Sequence, residues 1–331
     1  MEKILITGSN GFIGHHFCEH VLKNTDWQIY AMDRLSYASF GYDRLRDVGV
    51  YDDKRVRHFS HDFTLPVTEG LLRELQDVST IVHLGAETHV DNSITHPEAF
   101  VRANILGTMN ILQFARQCQH LKKMIYFSTD EVFGPASRED VPNGYKEWDR
   151  YNSTNPYSAS KAGGEELCLA WANTYKLPVL ISHTMNVFGE RQHPEKFIPK
   201  VMRKVMAGET VTIHSDASKK VPGSRFWIHA RNVAAATMFL LDKGEIRDKY
   251  NIVGEREVDN LQMAQAIAEI LGKPLKYEMV DFHSSRPGHD LRYALNGEKL
   301  HDMGWHQPKA FMESLEKTVQ WTLKNPRWLE E

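Results

Sequence analysis

The sequence predicts an α/β fold built on a doubly wound parallel sheet. Short β-branched runs alternate with longer helical patterns through the first half of the chain, which is typical of parallel strands joined by right-handed crossovers. Each run is near-continuously apolar, as strands covered on both faces are. The first run also leads directly into a glycine-rich turn. The predicted strands span residues 3–8, 28–33, 56–62, 80–86, 123–129 and 178–184.

The segments between these strands carry apolar residues at three- and four-residue spacing, which predicts amphipathic helices. These helices span 12–24, 69–77, 99–118 and 157–176. After about residue 186 the pattern loosens into loops marked by proline and glycine. The later predicted elements are helices near 195–207, 229–243, 261–272 and 310–325, and extended segments at 211–215, 221–229 and 250–254.

This change in pattern predicts two interlocked lobes within the 331 residues. The first lobe should comprise residues 1–185 plus about 230–256. A smaller, discontinuous C-terminal lobe should comprise about 186–229 plus 257–331.

Charge and cysteine use exclude several classes of protein. With 40 basic and 43 acidic residues the net charge is -3, so we expect neither nucleic acid nor an anionic membrane surface as a partner. Cys18, Cys118 and Cys168 are widely spaced, so we expect them to be buried free thiols in a reducing compartment. The N-terminus shows no targeting pattern and no stretch approaches a membrane span, so we expect a cytoplasmic protein. The histidines are scattered without ligand spacing, so no metal site is expected.

The first strand leads into GSNGFIG, which has the spacing of a phosphate-binding turn. Gly8 allows the tight turn, Gly11 lets the backbone approach a pyrophosphate, and Gly14 lets the helix pack closely on the sheet. The second strand ends in Asp33, which can accept hydrogen bonds from both hydroxyls of an adenosine ribose. This acid favours NAD over NADP, although Arg34 leaves room for a 2′-phosphate. The first lobe is therefore predicted to be a Rossmann-type NAD-binding domain.

Further cofactor contacts are expected where later strands end. Asp62 and Phe63 follow the third strand and are placed to reach the adenine, with a helix cap and a core aromatic as the alternative. The predicted cofactor-binding residues are Gly8, Asn10, Gly11, Phe12, Ile13, Gly14, Asp33, Asp62, Phe63, Leu84 and Ala86, together with Tyr157 and Lys161.

The segment YSASKAG places Tyr157 and Lys161 four residues apart on one face of a predicted helix. A lysine ammonium near a phenol favours the phenolate, so we expect Lys161 to lower the pKa of Tyr157. Beside a nicotinamide, such a base can take the proton from a sugar hydroxyl while hydride leaves the same carbon.

GSNGFIG, STDEVFG and YSASK together resemble the extended short-chain dehydrogenase/reductase superfamily, and specifically its nucleotide-sugar 4,6-dehydratases. The likeness covers nearly the whole chain and includes AETHVDNSI, NVFGERQHPEKFIP and RPGHDLRYA. The run Thr129-Asp130-Glu131 is similar to the dehydratases and unlike the typical epimerases.

The resemblance implies a reaction that begins with oxidation at C4 of a hexose and continues with loss of the C6 hydroxyl. It implies that Glu131 removes the C5 proton, that Asp130 protonates the departing hydroxyl, and that Thr129 hydrogen-bonds O4. Two carboxyls in different environments can divide the acid and base roles. The alternative is that both acids cap the following turn.

The resemblance also implies a set of substrate contacts, in which Arg225 and Arg286 pair with the diphosphate. The predicted substrate-binding residues are His89, Asn186, Lys196, Phe197, Ile198, Arg225, Arg286 and His289. Three segments depart from the family: Asn92 replaces an arginine in HVDNSI, Arg225 is followed by Phe-Trp instead of Asp-Trp, and SDASKKVPGS is longer and more basic than the expected turn. These departures lie in or near the predicted substrate pocket, so the sequence does not identify the nucleotide base or the sugar of the substrate.

The leading hypothesis is NAD-dependent 4,6-dehydration of a nucleotide hexose such as dTDP-glucose or UDP-glucose. A nucleotide-sugar 4-epimerase is the alternative, since it needs Thr129, Tyr157 and Lys161 but gains nothing from the acidic pair. A dehydratase of a UDP-N-acetylhexosamine and a non-catalytic NAD-binding protein are further options. The resemblance also implies a homodimer through a four-helix bundle formed by the helices near 99–118 and 157–175.

Overall fold

The computed structural model describes residues 2–282 and 290–330. Its centre is a seven-stranded sheet in the order β11-β6-β5-β4-β1-β2-β3, in which every pair is parallel. This confirms the predicted doubly wound fold. The strands of this sheet are β1 Lys3–Thr7, β2 Gln28–Asp33, β3 Val56–Ser60, β4 Thr80–His83, β5 Lys123–Thr129, β6 Val179–Thr184 and β11 Lys249–Ile252.

The expectation that every strand is covered on both faces is wrong for β3. That strand lies at the edge of the sheet, and its residues from Arg57 onward are partly or fully exposed. An edge strand pairs on one side alone, so polar residues such as Arg57 and His58 are tolerated there.

The remaining strands form three short pairs outside the main sheet. The pairs are β7 Val187–Phe188 with β10 Ile228–His229, β8 Thr210–Ser215 with β13 Lys276–Asp281, and β9 Ser224–Phe226 with β12 Glu257–Asp259. The predicted extended segment at 221–229 forms two of these strands, β9 and β10, which are separated by Trp227 and belong to different pairs.

Among the described residues the predicted helices occur in the predicted order, with one interruption, and three short helices at 43–47, 90–95 and 298–302 were not predicted. The helix predicted over 99–118 is divided by a π-helical segment, Val101–Leu106. Asn104 in this segment bonds to the loop after β4, and that tertiary contact is invisible to periodicity. The helices are α1 Phe12–Asn24, α2 Asp43–Asp47, α3 Glu69–Leu75, α4 Val90–Thr95, α5 Pro97–Phe100, α6 Gly107–Ala115, α7 Pro156–Tyr175, α8 Phe197–Ala207, α9 Ala230–Lys243, α10 Asn260–Ile270, α11 Glu298–Asp302 and α12 Phe311–Lys324, with 3-10 turns at Tyr37–Ser39, Asp130–Phe133 and Pro326–Leu329.

Apolar residues cover both faces of the sheet because side chains alternate along each strand. Ile4 and Ile6 of β1 pack into one cluster with α1 and α9, while Leu5 packs into the other with α6 and α7. A third cluster joins α8, α10 and α12. The three cysteines are buried free thiols, as predicted. Two covered faces leave the carboxyl ends of the strands as the place for a ligand.

Across the two described ranges, no helix has the length and apolar character needed to cross a bilayer.

Candidate active site

A cavity of about 970 Å³ opens at the carboxyl ends of β1, β2, β4, β5 and β6. This is where doubly wound sheets bind their ligands, at the point where the strand order reverses. We call its lining residues between 8 and 94 the N-terminal wall, those between 127 and 161 the central wall, and those between 184 and 293 the C-terminal wall.

The glycine turn forms the floor of the N-terminal wall. Gly8 has a φ of +69°, and a Cβ there would lie 2.8 Å from the backbone of Gly85 on the neighbouring loop. A Cβ on Gly14 would lie 2.0 Å from the carbonyl oxygen of Gly8, so α1 packs directly on the turn. The helix begins at Phe12, and its first amides have no partner within the helix. The turn is therefore suited to an anion.

Asp33 closes the N-terminal wall at the end of β2. Its carboxylate accepts hydrogen bonds from the amides of Asn10, at 3.0 Å, and Leu35, at 2.8 Å. Burial raises the pKa of Asp33, and these two amides oppose the rise. The carboxylate thus ties the glycine turn to the loop after β2 while lining the cavity.

Three residues that the sequence predicted as ligands lie outside the cavity walls. The Asn10 side chain donates to the carbonyl oxygen of Gly41 at 2.7 Å. Asp62 accepts from the amide of Thr64 at 2.9 Å within a turn, and the helix cap expected as the alternative is supplied by Thr68 at the start of α3. Ile198 is 1% exposed and packs in the third apolar cluster, because it faces inward from α8.

The other predicted N-terminal contacts do line the cavity. Phe63 also packs against the core, since a Cβ on Gly85 or Gly107 would lie within 2.7 Å of its ring. The predicted ligands on this wall are Gly8, Gly11, Phe12, Ile13, Gly14, Asp33, Phe63, Leu84, Ala86 and His89.

Asp130 follows β5 and belongs to the central wall. It is 5% exposed, and its Oδ2 atom has no hydrogen-bond partner within residues 2–282 and 290–330. Thr129 donates to the other oxygen at 3.1 Å. Burial, and then the charge of Glu131, raise the pKa of Asp130 to about 7. A buried carboxyl with this pKa can give up a proton near neutral pH.

Glu131, the adjacent acid, has a different environment. Its Oε2 atom accepts hydrogen bonds from the side-chain amide of Asn155 at 3.2 Å and from the hydroxyl of Tyr293 at 3.4 Å. Donors directed at a carboxylate suit a group that acts as a base. The alternative that the two acids cap the following turn does not hold, because the cap is Thr129, whose hydroxyl accepts from the Glu131 amide at 3.4 Å, and both acids lie within the turn.

The expected effect of Lys161 on Tyr157 is wrong. Burial, and then the neighbouring Glu131, raise the pKa of Tyr157 well above its usual value, while a hydrogen bond with Thr129 opposes the rise. Lys161 instead lies 4.3 Å from the ring centroid of Tyr126, and burial lowers its own pKa to about 8. Two acids beside a buried phenol disfavour the phenolate.

Behind the central wall lies a buried polar network that the sequence analysis missed. Its centre is Glu165, which is fully buried on α7 and accepts hydrogen bonds from Ser128 and Tyr151. His183 lies 3.2 Å from its carboxylate and Lys249 lies 3.4 Å away. Burial opposes ionisation, but these two neighbours lower the pKa of Glu165 to about 2. The network fixes the end of β5 against α7.

Asn104 was also missed. It is 1% exposed, and its side chain donates to the carbonyl of Glu87 at 3.0 Å and to Ser160 at 2.9 Å. It therefore joins the loop after β4 to the helix that carries Tyr157 and Lys161. π-Helical segments are frequent at functional sites, but the spacing of apolar residues does not predict where one forms.

The C-terminal wall contains Asn186, Lys196, Phe197 and Arg225, as predicted. Lys196 lies 3.6 Å from the carboxylate of its neighbour Glu195. Tyr293 was missed as a contact, although it lies in the quoted segment RPGHDLRYA. The predicted ligands Arg286 and His289 lie outside the described residues.

Arg225 does not present a free guanidinium fork to the cavity. Its Nη2 atom donates to the carbonyl of Asp290 at 2.7 Å, and its Nη1 atom donates to those of Ser224 and Leu291 at 2.6 and 2.8 Å. The group also lies 4.4 Å from the ring centroid of Tyr293. The expected bidentate pairing with a diphosphate is not preformed, because backbone carbonyls occupy three of its five N–H donors, including both on Nη1.

Comparison with known proteins agrees with this geometry. The model of the NAD dependent epimerase/dehydratase family matches residues 4–253. Over 99% of its length the chain is 34% identical to the dTDP-glucose 4,6-dehydratase of Escherichia coli, covering 94% of that protein. It is also 34% identical, again over 99% of its length, to a trifunctional UDP-glucose 4,6-dehydratase/UDP-4-keto-6-deoxy-D-glucose 3,5-epimerase/UDP-4-keto-L-rhamnose-reductase of Arabidopsis thaliana.

The chain spans about half, 48%, of the Arabidopsis protein. A solved dTDP-glucose 4,6-dehydratase from Streptomyces venezuelae with NAD bound is 32% identical, with a TM-score of 0.88 and 99% coverage of both chains. This structural match and the two curated relatives confirm the resemblance seen in the motifs. The chain belongs to the NAD-dependent epimerase/dehydratase family.

Proposed function

We propose that this protein is a hydro-lyase that carries out NAD-dependent 4,6-dehydration of a nucleotide hexose, giving the 4-keto-6-deoxy sugar. The observation that carries the proposal is the contrast between Asp130, a buried carboxyl whose pKa is raised to about 7, and Glu131, which accepts hydrogen bonds from Asn155 and Tyr293. An elimination needs one group that gives a proton and one that takes a proton. The dehydratase relatives support the same reaction.

The N-terminal wall fits NAD. The glycine turn leaves no room for a Cβ at Gly8 or Gly14, so backbone amides line the floor, and Asp33 stands where the adenosine ribose would lie. The NAD-containing relative supports this cofactor. Bound NAD supplies a hydride acceptor at the start of the cycle and a hydride donor at its end.

In the first step Tyr157 accepts the proton of the sugar O4 hydroxyl while C4 loses a hydride. Thr129 hydrogen-bonds O4 and also Tyr157, so it holds donor and acceptor together. Burial, and then the charge of Glu131, raise the pKa of Tyr157, so the phenolate forms against both. Lys161 lies one turn away on the same helix face and is proposed to bind the cofactor, since its ammonium lies over the ring of Tyr126 and does not lower the pKa of Tyr157.

In the second step Glu131 takes the C5 proton, which the new C4 ketone has made acidic. The C6–O bond breaks and Asp130 gives its proton to the departing hydroxyl, so water leaves. Hydride then enters at C6 and Glu131 returns its proton to C5. The sugar loses one water and no external reductant is consumed. The proton that Tyr157 took from O4 balances the one that Asp130 gave to the water, so transfer of one proton from Tyr157 to Asp130 restores both groups.

The C-terminal wall is proposed to hold the nucleotide sugar. Asn186, Lys196 and Phe197 line it, and His89 faces it from the opposite wall. Arg225, Arg286 and His289 are also proposed to bind the substrate. Arg286 and His289 lie outside the described residues. The relatives act on dTDP- and UDP-sugars, so both bases are candidates.

The test is to incubate purified protein with NAD and, in parallel, dTDP-glucose, UDP-glucose and UDP-N-acetylglucosamine, and to follow each by mass spectrometry. Loss of one water from any of them supports the proposal and identifies base and sugar. An isomer of unchanged mass would instead indicate a 4-epimerase. No change with any sugar would favour a non-catalytic NAD-binding protein.

We further propose that the protein is a homodimer through a four-helix bundle. The segment 97–115 packs against α7 within the chain, and Val101 on it is 48% exposed, so this apolar side chain is available for contact with a second copy. Sedimentation at micromolar concentration should show a dimer. A monomer alone would contradict this assembly.

The two lobes, 1–185 with about 230–256 and about 186–229 with 257–331, remain a proposal that limited proteolysis can test. Their support is the separate apolar cluster joining α8, α10 and α12. A cytoplasmic location is likewise proposed, because three buried free thiols suit a reducing compartment. Cell fractionation tests it.

A further inference from the structure

An ion pair crosses the N-terminal wall of the cavity. Arg34 directly follows β2, Glu87 lies in the loop after β4, and the guanidinium of one pairs with the carboxylate of the other. In the sheet β1 lies between β2 and β4, and neighbouring strands are about 4.8 Å apart, so the pair spans roughly 10 Å of sheet edge. It passes over the end of β1, where the glycine turn begins.

The backbone of Glu87 is fixed by two hydrogen bonds to Asn104. The amide of Glu87 donates to Asn104 Oδ1 at 2.9 Å, and Asn104 donates back to the carbonyl of Glu87 at 3.0 Å. Asn104 is 1% exposed and also bonds to Ser160 on α7. The side chains of Arg34 and Glu87 are 27% and 17% exposed. The pair is therefore part of the wall and differs from a solvated surface contact.

Arg34 is the arginine placed to meet a 2′-phosphate. It adjoins Asp33, the residue expected at the adenosine ribose, and in this fold an arginine near that acid accommodates the phosphate of NADP. Arg44 also lines the cavity, but it donates to the carbonyls of Asn10 and Arg191 at 3.1 and 3.0 Å. Its Nη2 atom has no hydrogen-bond partner among the described residues, but that atom is buried and does not reach the surface of the cavity.

We propose that Glu87 makes this protein select NAD over NADP by occupying Arg34. The pairing neutralises the arginine next to the ribose site and adds a second carboxylate, after Asp33, to the same part of the wall. A 2′-phosphate would then have to displace Glu87 and face two acids. The inference rests on the proposed NAD-dependent function and names the residue that sets its cofactor preference.

The test measures bound cofactor and needs no sugar. Protein is equilibrated with equal excess concentrations of NAD and NADP, freed of unbound dinucleotide, and denatured, and the released dinucleotides are quantified by mass spectrometry. The variants are Glu87→Gln, which keeps the shape of the side chain, and the double variant Glu87→Gln with Arg34→Gln. Glu74→Gln is the matched control, since it breaks an Arg57–Glu74 pair outside the cavity.

We expect the parent and Glu74→Gln to retain mainly NAD. Glu87→Gln should raise the ratio of bound NADP to NAD about tenfold, the size of one added charge-assisted hydrogen bond. The double variant should lose that gain, because the gain requires Arg34. An unchanged ratio in Glu87→Gln, a gain that survives in the double variant, or a parent that already binds NADP equally would each overturn the proposal.

Failure of the inference can be told apart from failure of the proposed function. Normal dehydration by a parent whose Glu87→Gln variant keeps the parental ratio would overturn the inference alone. The expected ratios in a protein that dehydrates no sugar would leave the inference standing and contradict the reaction. A parent that binds neither dinucleotide would contradict both.

Discussion

The N-terminal and C-terminal walls of the cavity are built differently. The N-terminal wall depends on backbone geometry, since Gly8 and Gly14 lie too close to neighbouring backbone to carry a Cβ. The C-terminal wall depends on side chains from distant segments, and its Arg225 is bound to carbonyls of residues 224, 290 and 291. A ligand site made of backbone can therefore be predicted from a short motif, whereas the side chains of a site such as the C-terminal wall also form hydrogen bonds within the protein.

The largest expected effect on activity comes from a substitution on the central wall, between the N-terminal and C-terminal walls. Glu131→Gln should slow water loss roughly thousandfold, the size of a lost general base, while oxidation at C4 continues. Mass spectrometry measures water loss, and absorbance of the reduced nicotinamide measures oxidation. Glu139→Gln, at an exposed position outside the cavity, is the control and should leave both unchanged. If Glu131→Gln dehydrates the sugar as fast as the parent, Glu131 is not the base and the acidic pair has only a structural role in the turn.

The second prediction tests the backbone character of the N-terminal wall. Gly14→Ala should lower the free energy of unfolding by roughly 3 kcal/mol and abolish NAD binding, because its Cβ would lie 2.0 Å from the Gly8 carbonyl oxygen. Urea unfolding and equilibrium dialysis measure the two effects. Gly70→Ala, which meets no atom within 4 Å, is the control and should be neutral or slightly stabilising. Normal NAD binding by Gly14→Ala would break the comparison.

The third prediction tests the side-chain character of the C-terminal wall. Arg225→Met should lower the free energy of unfolding by about 2 kcal/mol, since buried carbonyls lose their donors. Arg73→Met, which removes an exposed pair with Glu69, should cost under roughly 0.5 kcal/mol. If Arg225→Met instead keeps full stability and raises KM alone, the arginine binds diphosphate and the two walls differ less than the structure indicates.

The smallest expected effect concerns pH. The pKa of Asp130 in the folded protein is about 7, above its usual value of 3.8. Protonated Asp130 is the acid, so the elimination rate should be constant below about 7 and fall about tenfold per pH unit above it. Stability linked to this group has the same sign: it is present below the unfolded pKa and lost as pH rises through the folded one. Single-turnover rates measure the profile.

Asp130→Asn is the control for that profile. It keeps the size of the side chain but carries no titrating proton, so elimination should be slow and its dependence on pH around 7 should disappear. A parental profile that is flat through this range would show that another group donates the proton.

Much of the fold was predictable from the sequence because its signals are local. The strand runs and helix periodicity gave the parallel sheet and its order of elements, and GSNGFIG gave the turn. The π-helical segment around Asn104 was not predictable, since it depends on bonds to Glu87 and Ser160 that distant segments supply. The partly exposed edge strand β3 likewise follows from sheet order.

The candidate site divides in the same way. Two motifs, STDEVFG and YSASK, identified five residues that the structure brings to the central wall: Thr129, Asp130, Glu131, Tyr157 and Lys161. The motifs did not indicate that burial and acidic neighbours raise the pKa of Tyr157, because the charges around a phenol depend on the folded chain. The same holds for Ile198, whose helix turns it into the core although the preceding residue, Phe197, lines the cavity.

The sequence by itself determined the sheet, the glycine turn and the types of reacting group, because each is encoded within a few neighbouring residues. The tertiary structure decided which of those groups are charged, paired or available. Tyr293 bonds to Glu131 from 162 positions away, and Arg34 meets Glu87 across 53 positions. Burial and pairing depend on such distant contacts, and they set both proton affinity and ligand choice.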